Sequence, residues 1–172
     1  MEGSLKSYLP YLAGRVGVSP AALYERQRAL VRAHILTAED GRGPGSGVLL
    51  DPHAVAYLLI AILATDSLSD TVTAVGRIAA VEPVSRTKRC PLTGRRSFVD
   101  ALVQVLSRRQ DLWKVLSVTV DRTRARASIK YKRDSKSAIS LFLGEDGELV
   151  SSLQIEATFD HRVLAEISKD LR

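Results

Sequence analysis

A chain of 172 residues, 45% of them hydrophobic, has material for one large or two small packed cores and is not of a composition dominated by disorder. A single cysteine, Cys90, excludes an intrachain disulfide and a multi-cysteine zinc site, and the longest apolar run, Ala54 to Ala64 with Tyr57 inside it, falls short of the roughly 20 residues that span a bilayer. The net charge of +6 is unevenly placed, since residues 1–83 sum to −1, 84–133 to +11 and 134–172 to −4.

The opening Met-Glu-Gly-Ser-Leu-Lys lacks the basic-then-apolar order of a secretory signal, which with the reduced lone cysteine leads to the expectation of a cytoplasmic protein without a membrane partner. Leu5, Tyr8 and Leu9 predict a first short helix. Pro10 then suits the opening of a second, in which Leu12, Ala13 and Val16 share a face and Gly17 stops the helix where a positive φ is cheap only for glycine. Val18 is apolar, Ser19 can cap the next N–H groups and Pro20 fits a first helical position. The result is a tight turn between two helices.

From Pro20, the spacing of Leu23, Gln27, Leu30, Val31 and His34 predicts a helix with a modest buried face, leaving Tyr24, Glu25, Arg28 and Arg32 directed elsewhere. In a helix-turn-helix the second helix enters the major groove with its N-terminal residues nearest the bases. Ser19, Pro20, Ala21, Ala22, Tyr24, Glu25, Arg28 and Arg32 are therefore the expected DNA-binding set, Arg28 and Arg32 being equally suited to phosphate. The glycine-rich run 38–47, with Arg42 at its tip, precedes the strand-like Val48-Leu49-Leu50 and reads as a wing that can lie along a minor groove.

These residues resemble a known family. Leu12-Ala-Gly-Arg-Val-Gly-Val-Ser-Pro-Ala-Ala-Leu23, then a wing, then Asp51-Pro-His-Ala-Val-Ala-Tyr-Leu-Leu-Ile60, looks like the winged helix of mercury-resistance-type (MerR-like) regulators and related small phage regulators. The resemblance covers roughly the first 70 residues. It implies double-stranded DNA as partner; because a single helix-turn-helix contacts only a few base pairs, a homodimer on a repeated or palindromic site is expected as well.

Further along, Val55, Leu58, Leu59, Ile62 and Leu63 give a strongly apolar helix over Pro52–Ala64, expected to pack against Leu12, Leu23 and Leu30. Ser69 is the expected cap of a helix through Val72, Val75, Ile78 and Ala79, ended by Pro83. Residues 84–97 lack periodicity and hold Arg86, Lys88, Arg89, Arg95 and Arg96, so they read as an exposed basic linker able to touch phosphates, or as a solvated segment without that role. Ser97 can cap a helix on Phe98, Leu102, Val105 and Leu106. Four strands follow, near 115–120, 125–133, 138–143 and 149–158, with Gly144-Glu-Asp-Gly147 as the turn between the last two, and a closing helix runs from Asp160 to Leu171. Arg122, Arg124, Arg126, Lys130, Lys132 and Arg133 lie on or beside the second strand, as a basic surface or as a charged strand that resists aggregation.

The fold expected is thus α+β: a winged helix-turn-helix domain over 1–82, a basic linker over 83–97, and over 98–172 a small antiparallel sheet flanked by helices that dimerises, binds an effector or meets another protein. No catalytic constellation is visible. His34, His53 and His161 are scattered, Gly41–Gly47 lacks the Lys-Ser/Thr ending of a phosphate loop, and no cofactor motif appears. The expectation is a sequence-specific transcriptional regulator of bacterial or phage type rather than an enzyme; the alternative is a structural or adaptor protein of a phage or mobile element that binds nucleic acid non-specifically.

Overall fold

The computed structural model describes residues 3–38, 47–145 and 153–171. Its most apolar segment is also its centre. Asp51 accepts a bond from the Ala54 N–H at 2.7 Å and Pro52 takes the first position of a helix, α3 (Pro52–Ala64), in which Ala54–Ala56 and Leu58–Ala64 are all buried. A helix apolar all round needs cover on every side. Two earlier helices, α1 (Leu5–Val16) and α2 (Pro20–Arg32), precede it, and α4 (Thr71–Ala79) follows. Then come a two-residue strand β1 (Glu82–Pro83), helices α5 (Phe98–Ser107) and α6 (Arg109–Leu112), strands β2 (Val115–Asp121), β3 (Arg126–Arg133), β4 (Lys136–Leu143) and β5 (Glu156–Asp160), and α7 (His161–Asp170).

Helix α3 packs against α2, α4, α5, β2 and β5. Its partners therefore extend well beyond the expected Leu12, Leu23 and Leu30. One buried cluster runs from Leu5 in α1 to Ile167 in α7. Strands β2 to β5 contribute Val118, Val120, Ala127, Ile129, Phe142 and Phe159 to it, and the Phe98 and Phe142 rings meet edge to face at 5.3 Å.

The α+β class holds, and the alternation that announced β3 is the alternation that buries Ala127, Ile129 and Tyr131; of the expected fourth strand, residues 149–152 lie outside the described residues and the strand observed is Glu156–Asp160. Their pairing is another matter. The sheet order is β1-β4-β3-β2-β5, all neighbours antiparallel, so the fourth long strand lies beside the first of the set instead of closing a hairpin on the third. That is the Greek-key order. Gly144 is consequently no hairpin turn between β4 and β5; its N–H bonds the Ala125 carbonyl at 2.7 Å, and a Cβ there would stand 2.7 Å from that of Ala125. Strands β3 and β4 are joined by Asp134 and Ser135, both at positive φ, the geometry of a type I′ turn.

The structure departs from the local sequence pattern at three further places. A single helix spans Leu5 to Val16 with Pro10 inside it, because Leu5, Tyr8, Leu9, Leu12 and Ala13 form one continuous buried stripe that outweighs the one backbone bond proline forfeits. Asp70, without a side-chain cap bond, precedes α4 where Ser69 was expected to cap. The stretch 83–97, expected as an exposed linker, is folded: Pro83 pairs with Phe142, Cys90 is 1% exposed, and the Phe98 N–H returns to the Val81 carbonyl at 3.0 Å.

Candidate nucleic-acid interface

The turn between α1 and α2 is built as the sequence requires. Gly17 adopts φ 72°, and the Val18 N–H reaches back to the Ala13 carbonyl at 3.2 Å. Ser19 is extended and its Oγ accepts from the Ala22 N–H at 3.1 Å, with Pro20 as the first helical residue. Leu23, Arg26, Gln27 and Leu30 then turn inward. Ser19, Pro20, Ala21, Arg28 and Arg32 are exposed, while Ala22, Tyr24 and Glu25 are half-buried.

Two of these side chains are engaged with each other. Glu25 accepts from Arg28 at 3.1 Å, and the Arg28 guanidinium lies 5.9 Å from the centre of the Tyr24 ring. Lys6, which sequence reasoning passed over, places its Nζ 5.4 Å from the same ring, so α1 adds a cation to this face. Arg42 lies outside the described residues. The expected wing strand is present as an extended segment, but it pairs with the chain's beginning: Leu5 N–H bonds Val48 O and Leu50 N–H bonds Gly3 O, both at 2.8 Å.

Helix α1 is also pinned to α7. Arg15 donates to Glu166 at 2.6 Å and through its Nε to Asp170 at 2.9 Å, and the Tyr8 hydroxyl donates to Asp170 at 2.8 Å. Burial, then the Asp170 carboxylate, pushes the Tyr8 hydroxyl well above its usual range. Burial alone would lower Arg15, yet Asp170 and Glu166 outweigh it and leave it raised.

A second residue missed from sequence is Arg26, 6% exposed, whose Nη2 donates to the Thr65 carbonyl at 2.9 Å and to that of Asp66 at 3.3 Å. Arg122 approaches the same helix end, donating from Nε to Leu63 O at 2.9 Å and from Nη2 to Ile62 O at 3.2 Å, and pairing with the Asp66 carboxylate. Both arginines satisfy the orphan carbonyls at the C-terminus of α3, where a positive charge also opposes the helix dipole. Burial draws the Arg26 guanidinium below its ordinary value, with Asp66 opposing the shift and Arg122 adding to it. A signal for Arg26 was available: it lies between Leu23 and Leu30 on the apolar stripe. Arg124 is likewise committed, to the buried Asp121 at 2.8 Å.

The five basic residues of 84–97 separate. Arg86 is exposed and Lys88 pairs with Glu82 at 3.6 Å. Arg89, Arg95 and Arg96 line a common pocket of about 330 Å³ together with Arg108, Asp100 and Gln104 of α5 and its C-terminal cap. Comparisons with family models, with curated proteins and with solved structures return no match for this chain.

Proposed function

We propose that the chain is a sequence-specific double-stranded-DNA-binding transcriptional regulator that reads a half-site with the outward side of α2, as a homodimer on a repeated or palindromic site. The observation that carries this reading is the open first turn of α2. Ser19, Pro20 and Ala21 are exposed, Arg28 and Arg32 continue the exposed side, and the helix packs on α1, α3 and α4 rather than under the sheet. Ala21 and Ala22 offer apolar contact to a thymine methyl, Arg28 a fork for guanine, and Arg32 a phosphate clamp one turn later. A single such helix covers only a few base pairs, which is why a dimer accompanies the proposal.

Selection of sites from random duplex DNA, followed by fluorescence anisotropy on the recovered and a scrambled site at physiological salt, tests it. Arg28→Ala should weaken the recovered site by about 1–3 kcal/mol and relax preference at one base position. Equal affinity for recovered and scrambled DNA would refute specificity.

One observation favours a second reading, an adaptor with sequence-blind nucleic-acid binding: the charge excess lies in residues 84–133, and Arg28, the exposed α2 arginine nearest the turn, is already paired with Glu25. Under that reading Arg28→Ala leaves affinity intact, whereas charge reversal at Arg95 and Arg96 lowers both affinity and its salt dependence.

A further inference from the structure

We propose that the pocket between the 85–96 loop and α5 is a binding site for a small phosphomonoester dianion, a site independent of whether α2 reads DNA. The charge balance comes first. Arg89, Arg95, Arg96 and Arg108 converge on the pocket against one lining carboxylate, Asp100. Several arginines elsewhere are matched by carboxylates: Arg15 by Glu166 and Asp170, Arg28 by Glu25, Arg122 by Asp66, Arg124 by Asp121. The four pocket arginines enter no ion pair among the described residues. A lining with a surplus of three positive charges suits a ligand carrying two negative ones, and a phosphomonoester supplies close to that at neutral pH.

The pocket is also pre-formed. The Ser85 hydroxyl ties the loop by accepting from the Arg89 N–H at 3.0 Å and donating to the Arg89 carbonyl at 2.8 Å. Cys90, buried beneath, bonds the Arg95 carbonyl and the Gly94 N–H, each at 2.7 Å, and Arg89 Nη1 donates to Gly94 O at 3.1 Å.

Arg95 is aimed by a buried relay. Its Nε and Nη2 donate to Gln104 Oε1 at 3.2 and 2.8 Å, and Gln104 Nε2 donates to Asp111 Oδ2 at 3.1 Å. Gln104 is 5% exposed and Asp111 9%, so the amide cannot readily turn away. With Nε and one hydrogen of Nη2 so occupied, Nη1 and the second Nη2 hydrogen are left for the ligand, a planar fork matched to phosphate oxygens. Gln104 acts as a positioning residue.

Shape and lining narrow the class further. About 330 Å³ falls at the small end of the roughly 300–1,000 Å³ of small-molecule sites, and every lining side chain is polar, with Thr93 and Asp100 beside the arginines. Lacking an aromatic or aliphatic wall, the pocket grips the phosphoryl group and a small polar remainder rather than a nucleobase.

Calorimetric titration of the full chain with methyl phosphate, then with dimethyl phosphate at matched ionic strength in chloride, tests the assignment. Methyl phosphate should bind one to one, and the singly charged dimethyl ester, which reproduces a nucleic-acid phosphodiester, should bind about tenfold more weakly or worse. Arg95→Met and Arg108→Met should each lower methyl phosphate affinity by about tenfold or more, while Arg86→Met, on the same loop outside the pocket, stays within about twofold. Arg95→Lys, which keeps the charge without the fork, should fall with Arg95→Met and serves if the latter does not fold. Equal affinity for the two esters, displacement of methyl phosphate by a short duplex, an equal loss in Arg86→Met, or undiminished binding in the Arg95 and Arg108 variants would each overturn the proposal. None of these outcomes depends on α2, so they separate from a failure of the DNA reading.

Discussion

The end of α3 and the pocket beside α5 employ the same side chain to opposite ends. At α3, Arg26 and Arg122 bring their guanidinium groups to carbonyls at the helix terminus, and Asp66 sits among them. Beside α5, Arg89, Arg95, Arg96 and Arg108 surround open space with only Asp100 for balance. In the first place the arginine completes the protein's own hydrogen bonding and meets a carboxylate; in the second Arg95 and Arg89 spend only part of their donors on Gln104 and Gly94, and none of the four enters an ion pair among the described residues. Counting arginines along the chain would put both in one basic class, and only their partners distinguish them.

The largest consequence is in stability. Arg122→Ala strips bonds from the Leu63 and Ile62 carbonyls and removes the partner of the exposed Asp66, and should lower unfolding free energy by about 2 kcal/mol in urea denaturation. Arg96→Ala at the pocket rim, by contrast, should change it by no more than about 0.5 kcal/mol. Equal losses would mean that the two groups of arginines are not different in kind.

A second effect follows from Asp121, which is buried and bonded by Thr123 and Arg124. Burial pushes its carboxyl up, but the Thr123 and Arg124 bonds outweigh this and hold it below the ordinary carboxylate value. Because the folded-state value is the depressed one, this stability is complete above the unfolded value of about 4 and is lost as the pH falls through the folded value. Urea midpoints between pH 6 and pH 2.5 should therefore drop on acidification, and Asp121→Asn should flatten part of that drop. An unchanged slope in the variant would show that Arg124 is not held as a structural ion pair.

The smallest effect concerns α2. Glu25 and Arg28 are about half exposed, at 43% and 52%, so breaking their pair with Arg28→Ala should alter thermal stability by less than about 0.5 kcal/mol, whatever it does to DNA affinity. A larger loss would move Arg28 into the structural group with Arg26.

Short-range chemistry was legible in the residues. Gly17, Ser19 and Pro20 announced the turn and the start of α2; Asp51-Pro52 and Ser97 marked two more helix starts; alternation in 126–133 marked β3. The exposed side of α2 was legible for the same reason, since period 3.6 fixes which side chains face inward once one is placed. The pocket was legible only as a list of basic residues. Nothing in the order of the chain revealed that Asp100 and Gln104 of α5 and Arg108 at its C-terminal cap, spaced four apart, would meet the 89–96 loop.

What the sequence determined alone is therefore the turn after Gly17, the starts of α2, α3 and α5 and the apolar faces of the periodic segments, because caps, turns and periodicity act between residues a few positions apart. The tertiary structure decided the rest: β5 beside β2, β1 drawn from a presumed linker to the sheet edge, Pro10 carried inside a helix, and four arginines gathered while two others were consumed at the end of α3. Strand edges all present the same backbone groups, and an arginine carries the same charge wherever it lies. Which edge pairs and which charge stays available is settled by what the burial of α3 brings alongside.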